Sequence, residues 1–255
     1  MSVRVTWAGH ATVLIEVDGY RVLTDPALTV RLAHLRRRRP VPDMGPVDAV
    51  LVSHVHHDHL HLPSMRQVAP VPRLVVPTGS RRLVESLDVV EIDEVVRADV
   101  RDLGRGGRGE PVSVEVVHAV HSCRRGPHSS VKAQAVGYVL CIGDVRIYFA
   151  GDTDLFDGMK ALGPIDVALV PIWGWGSSIG PGHLDPIRAA TATQWIDPAH
   201  VVPIHWGTYS PISPRRSDPP WLVRPIGEFS AALDDHGLGG RLRSLEPGGS
   251  FELEG

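Results

Sequence analysis

Apolar and polar positions alternate through the opening of the chain. Residues 3–7, 11–17 and 20–24 follow the two-residue period of half-buried strands, and Asp18-Gly19 between the second and third is a hairpin turn. Residues 31–46 lose the alternation and read as a loop carrying Arg31, Arg36, Arg37, Arg38 and Arg39. An apolar run over 47–53 predicts a buried strand, and 60–67 a helix with Asp58 at its N-cap. A short strand at 73–76 and a helix at 80–87 follow, then a turn-rich linker at 104–111. Residues 112–120 read as a strand, 134–142 and 145–149 as a hairpin around Gly143-Asp144, and 155–162 as a short helix. A buried strand at 165–172, a helix at 186–196 opened by proline, a strand at 200–204 and a helix at 227–236 closed by Gly237 complete the reading. Strands come in runs and then alternate with helices, twice over. That order predicts an α/β (α+β) chain in which two mixed sheets pack face to face with helices outside. No break in composition divides residues 1–255, so one domain is expected.

The strand end at 53–60 carries the densest chemistry. Ser53-His54-Val55-His56-His57-Asp58-His59-Leu60 has the spacing His-x-His-x-Asp-His. Imidazole nitrogen and carboxylate oxygen are good ligands for zinc and similar cations. Along an extended segment His54, His56 and Asp58 share a side, and a turn there brings His59 round. The spacing suits two adjacent metals better than one. Three further positions follow predicted strands: His121, Asp152 after Phe149-Ala150-Gly151, and His205 after Val202-Pro203-Ile204. His54, His56 and His121 then serve one metal, and Asp58, His59 and His205 the other. Asp152 bridges them, because a carboxylate offers two oxygens. Such a set leaves an open position for water or hydroxide, the mark of a catalytic site. His118 competes with His121 but lies farther from the loop, and Asp154 is better placed to cap the helix after it. His34, His57, His61, His128, His200 and His236 read as surface or loop residues.

Composition narrows the remaining choices. A hydrophobic content of 43% supports a full core, and the net charge of −3 gives no general reason to expect nucleic acid. No run of about 18 apolar residues is present to span a membrane. Two cysteines, Cys123 and Cys141, are too few and too far apart for a disulfide framework or a cysteine zinc site. The simplest home is therefore the cytoplasm.

The motifs together resemble the metallo-β-lactamase fold superfamily, and within it the branch of L-ascorbate-6-phosphate lactonases and N-acyl-phosphatidylethanolamine phospholipases D. Residues 7–12, W-A-G-H-A-T, resemble the branch's opening W-x-G-H-[AS]-[TS], and Thr24-Asp25-Pro26 its T-D-P. Residues 54–59 match the superfamily's metal motif, Gly151-Asp152-Thr153 its G-D-T, and His205-Trp206-Gly207-Thr208 its H-W-G-T. His183-Leu184-Asp185-Pro186 resembles H-x-x-P before a helix. The chain departs from the pattern at His118-Ala119, where relatives often have Pro-Ala, and at Ile187-Arg188, where an acidic pair is common.

The resemblance implies a four-layer αββα sandwich with metals at one sheet edge. It implies a metal-dependent hydrolase using a bridging hydroxide on an ester, lactone or phosphodiester of a small molecule. Two divalent ions are expected, zinc first, with manganese or iron as alternatives. Asp58 doubles as proton acceptor, and His183 protonates the leaving group or holds the oxyanion. His10 and Asp25 orient ligands, while Trp173, Trp175 and Tyr209 line a pocket. Competing readings are an RNA-processing nuclease drawing on the arginine run, a mononuclear iron dioxygenase, and a non-enzymatic metal-bound protein. Exposed sheet edges also permit a homo-oligomer.

Overall fold

The computed structural model describes residues 2–126, 128–212 and 219–254. Its first sheet is built from β1 (Ser2–Gly9), β2 (Thr12–Val17) and β3 (Tyr20–Thr24) as an antiparallel meander. Between this meander and the rest of the sheet lie two short strands, β4 (Arg31–Leu32) and β5 (Leu35–Arg37). The sheet continues in parallel through β6 (Ala49–Leu51), β7 (Val71–Pro77) and β8 (Val89–Val95). The second sheet repeats the scheme. Strands β9 (Val100–Arg105), β10 (Pro111–His118), β11 (Val136–Ile142) and β12 (Val145–Phe149) are antiparallel. Strands β13 (Val167–Pro171) and β14 (His200–Ile204) then add in parallel. Strand β15 (Tyr209–Pro211) pairs with β5 in a three-stranded sheet with β4, and β16 (Ser250–Glu254) closes the first sheet beside β1.

Side-chain parity explains the layers. Val13, Ile15, Val22, Ala49, Leu51 and Val75 face the second sheet and join one core with Val114, Tyr138, Leu140 and Phe149. Their neighbours Leu14, Leu23, Val50, Val52, Leu74 and Val76 point the other way, onto Met65, Val68 and Val84 of α1 (Leu62–Val68) and α2 (Arg81–Val84). Helices α3 (Pro186–Ile196) and α4 (Pro220–Asp235) cover the far side, with Ala189, Ala190, Phe229 and Leu233 in the core. The result is the expected αββα order. No helix among the described residues is long and apolar enough to cross a membrane.

Several boundaries differ from the sequence reading, each for a local reason. The arginine loop contains the β4–β5 hairpin, and Arg37 turns inward. It is 5% exposed and donates to the carbonyls of Ala8, Ala27 and Arg39. Helix α1 starts two residues late, with His61 rather than Asp58 at its cap, so the Asp58 carboxylate faces the site instead. The linker at 104–111 is the turn of the β9–β10 hairpin. The helix expected at 155–162 is a 3₁₀ segment, Asp157–Ala161, and the helix expected at 80–87 shrinks to Arg81–Val84. Helix α4 begins seven residues before the predicted start, with Pro220 in its first turn and Pro225 inside it. Strands β8, β9 and β16 escaped the pattern because exposed charged residues interrupt their apolar positions.

The two sheets meet tightly at Gly151, just after β12. Its φ is +60°, and a Cβ there would lie 2.4 Å from the Ser53 Cβ. Gly151→Ala should therefore destabilise the fold by about 2–4 kcal/mol, combining the left-handed penalty with overpacking. Gly19→Ala, at φ +90° with no atom within 4 Å, should lose only the backbone part. Urea unfolding midpoints of the two variants check the difference.

Candidate metal centre

The site gathers at the carboxyl ends of strands, where parallel sheets leave crevices for ligands. Asp25 follows β3, Ser53 and His54 follow β6, Asp152 follows β12, Trp173 follows β13, and His205 follows β14. His10 follows β1 and His121 follows β10. The turn after His54 is closed by His59 and Leu60 amides donating to the His56 carbonyl at 3.2 and 2.9 Å, which swings Asp58 and His59 back toward the site. His10, Asp25 and His205 all take positive φ, at 55°, 31° and 62°. Strained backbone of this kind collects at functional sites.

Hydrogen bonds select which ring nitrogen each histidine presents. His59 Nδ1 donates to Asp25 Oδ2 at 2.6 Å, His121 Nδ1 to the Gly182 carbonyl at 2.7 Å, and His205 Nδ1 to the Trp173 carbonyl at 2.9 Å. Ser53 Oγ gives its proton to Asp25 Oδ2 at 2.5 Å and so accepts from His54 Nδ1 at 3.0 Å. In the neutral rings, all four Nε2 atoms therefore carry bare lone pairs. His54 Nε2 lies 3.0 Å from His56 Nδ1, which lies 3.1 Å from His121 Nε2. His59 Nε2 lies 3.1 Å from His205 Nε2, with Asp58 Oδ2 at 3.7 and 3.8 Å from the two. Asp152 stands between the groups. Its Oδ2 is 4.0 Å from His54, 3.2 Å from His59 and 3.8 Å from His121, and its Oδ1 is 3.3 Å from His205.

These contacts fit a cation-binding centre. Converging lone pairs repel unless something positive lies among them. Asp152 Oδ1 is buried with no hydrogen-bond donor, a costly state for a carboxylate oxygen. The donor set, imidazole nitrogen with carboxylate oxygen, suits zinc, manganese or iron. His54, His56 and His121 are also kept in their ligating form. Burial pushes His56 down to about 4 and His54 well below its usual range, with neighbouring histidines adding to both. Burial likewise lowers His121, against the pull of Asp152. For Asp152, burial works upward, but His205 and His59 outweigh it and hold the carboxyl well below its usual range. His59 goes the other way. Burial opposes its charge, yet Asp152, Asp58 and Asp25 together raise it well above the ordinary value.

The surrounding residues fall into place around this core. His10 is buried, and its Nε2 lies 3.0 Å from Asp58 Oδ2, so it holds that carboxylate. Burial lowers His10 to about 4, with His205 adding to the effect and Asp58 opposing it. His183 Nδ1 faces the Gly180 carbonyl at 3.1 Å and Nε2 faces Asp152 Oδ2 at 3.4 Å. Burial lowers its basicity, but the Asp152 carboxylate more than compensates. Trp173 is buried and acts through its backbone carbonyl, while its Nε1 donates to the Gly176 carbonyl at 2.9 Å. Trp175 is 37% exposed and meets the His34 ring edge-on at 5.3 Å. Tyr209 is buried behind His10, ring to ring at 5.5 Å, with its hydroxyl on the carbonyls of Ala27 and Thr29.

Two residues went unmarked in the sequence. Ser53 relays Asp25 to His54, and its only signal was its place between an apolar strand and the first histidine. Arg188 pairs with Asp154 and reaches the His183 carbonyl at 3.5 Å, which gives a role to the position where relatives often carry acid.

Comparison with known proteins agrees with this architecture. The family described as the beta-lactamase superfamily domain matches residues 20–206. A UPF0173 metal-dependent hydrolase of Methanopyrus kandleri is 33% identical over 257 residues, covering 98% of this chain and 99% of the relative. An N-acyl-phosphatidylethanolamine-hydrolyzing phospholipase D of Caenorhabditis elegans is 28% identical over 80% of this chain and 64% of its own length. Among solved structures, the metallo hydrolase Igni18 of Ignicoccus hospitalis shares the fold, with a TM-score of 0.70 at 22% identity over 100% of this chain and 99% of that one. By fold, by motif order and by the family match across most of its length, this chain belongs to the β-lactamase superfamily.

Proposed function

We propose that this protein is a metal-dependent hydrolase with two divalent cations, acting on an ester, lactone or phosphodiester bond of a small molecule. The observation that carries the reading is the convergence of imidazole nitrogens on Asp152, whose buried Oδ1 has no donor. His54, His56 and His121 would hold one cation, and Asp58, His59 and His205 the other, with Asp152 between them. The naming of several close relatives as metal-dependent hydrolases supports the reaction class. The phospholipase D name of the Caenorhabditis elegans relative is the ground for keeping a phosphodiester among the bonds.

Bound there, the cations would supply a nucleophilic hydroxide near neutral pH and polarise the scissile carbonyl or phosphoryl group. The chain's own residues do the rest. Asp58 is held by His10 and has its side chain 15% exposed, so it can take a proton on the open side of the site. His183 is 24% exposed and lies against Asp152, so it can carry a proton toward a leaving group. Asp25 and Ser53 keep the His59 and His54 rings in register.

Three outcomes follow. Asp152→Ala and His56→Ala should lose bound metal and hydrolysis together, read by elemental analysis beside assays with a lactone and a phosphodiester. Full activity of metal-depleted Asp152→Ala would sink the reading. Asp25→Asn should weaken metal binding about 10–100-fold, since the orienting partner of His59 is lost, and chelator competition measures it. His183→Gln should keep its metal while kcat drops about 10²–10⁴-fold. An unchanged kcat would leave His183 a structural role only.

A further inference from the structure

Arg125 lies on the loop between β10 and β11, four residues after His121, and is 9% exposed. Among the described residues no carboxylate pairs with its guanidinium. Its Nη1 donates to the Val55 carbonyl at 2.8 Å and its Nη2 to the Leu60 carbonyl at 3.2 Å. Those two carbonyls bracket the turn that bears His56, Asp58 and His59. One planar fork thus ties the ligand turn to the loop that supplies His121.

Electrostatics gives no reason for an arginine at this position. A buried cation without a counter-ion is unfavourable by itself. Beside a centre that takes dications it also repels what the site must bind. Geometry does give a reason. A guanidinium presents several N–H groups in a rigid plane and can span two carbonyls, whereas an ammonium is a single point on a flexible stem. Backbone bonds at Val120 and Val136 fix the two ends of the same loop, and Arg125 ties its middle to the ligand turn.

We infer that Arg125 is a positioning residue for the metal centre, its fork setting the spacing of His56, Asp58 and His59 against His121. The inference rests on the metal-binding reading above. It also makes a prediction whose sign separates it from a charge effect. Removing a buried positive charge should tighten cation binding if charge alone mattered, and weaken it if position does.

The test is the zinc affinity of the full chain, by competition with a chromogenic chelator, for wild type, Arg125→Met and Arg125→Lys. Circular dichroism and thermal melting of the metal-free forms accompany it. Both variants should bind zinc about 10–100-fold more weakly than wild type, Lys included, because it keeps the charge but not the fork. The cobalt-loaded variants should also show altered visible absorption, which reports ligand geometry without any assay of activity. Equal or tighter zinc binding by the variants overturns the inference. If Arg125→Met does not fold, Arg125→Lys decides by the same criterion. A wild type that binds none of zinc, manganese and iron would overturn the metal-binding reading instead, and that outcome is visible before any variant is compared.

Discussion

A carboxylate wholly out of water must be met by directed N–H and O–H groups, and the site is organised around one such demand. Asp25 is fully buried at the end of β3. Its Oδ1 accepts from the Ser53 amide at 2.7 Å, and its Oδ2 accepts from Ser53 Oγ and His59 Nδ1. Its own amide donates to the Leu51 carbonyl, which locks it to the neighbouring strand β6. Each of these bonds has a consequence at the centre. The one to His59 turns that ring's free nitrogen inward, and the one to Ser53 does the same for His54 through the hydroxyl. His54 and His59 therefore owe their tautomer to a residue that stands behind the converging nitrogens.

The balance of charge around those ligands has the same logic. Desolvation keeps His54, His56 and His121 neutral, the form that binds metal. Asp58 and Asp152 remain ionised among them because His59 and His205, with hydrogen bonds from neighbouring rings, outweigh burial. Negative oxygens and bare nitrogens thus share a small volume with too little positive charge to match them. The carboxylates that draw a proton to His59 are the ones that would draw a cation to the same place. A protein holding such an arrangement only for stability would do better with apolar side chains of similar size.

Much of this was legible in the sequence, and the parts that were not have definite causes. The strand meander, the order of sheets and helices, and the candidate ligands all follow from short patterns: alternation, a histidine run, or an acid after an apolar strand and a glycine. Strand β9 was missed because Gly104 and three charged residues break its period. The first turns of α4 are hidden because proline ordinarily breaks a helix, yet Pro225 is buried inside this one. Arg37 and Arg125 were invisible for a deeper reason. Each is an arginine in a polar stretch, and only the assembled fold shows backbone carbonyls waiting for it. The pattern offers Asp58 as a helix cap as well as a ligand, but the helix starts too late to claim it, and His10, far away in sequence, does.

That contrast bears on where specificity lies. His54, His59, Asp152 and His205 are almost entirely buried. Their identities follow from what a cation requires, and that requirement is common to many reactions. Among the described residues His56, Asp58 and His183 are half-buried and Trp175 is exposed. Asp58 is held by His10, the His183 loop by Arg188 and Asp154, and Trp175 meets His34. The His34–Trp175 contact is telling, since it joins the small β4–β5 hairpin to the loop after β13, the same loop whose Trp173 carbonyl orients His205. A change in that hairpin can therefore reach the loop that orients His205 without touching any of the candidate ligands.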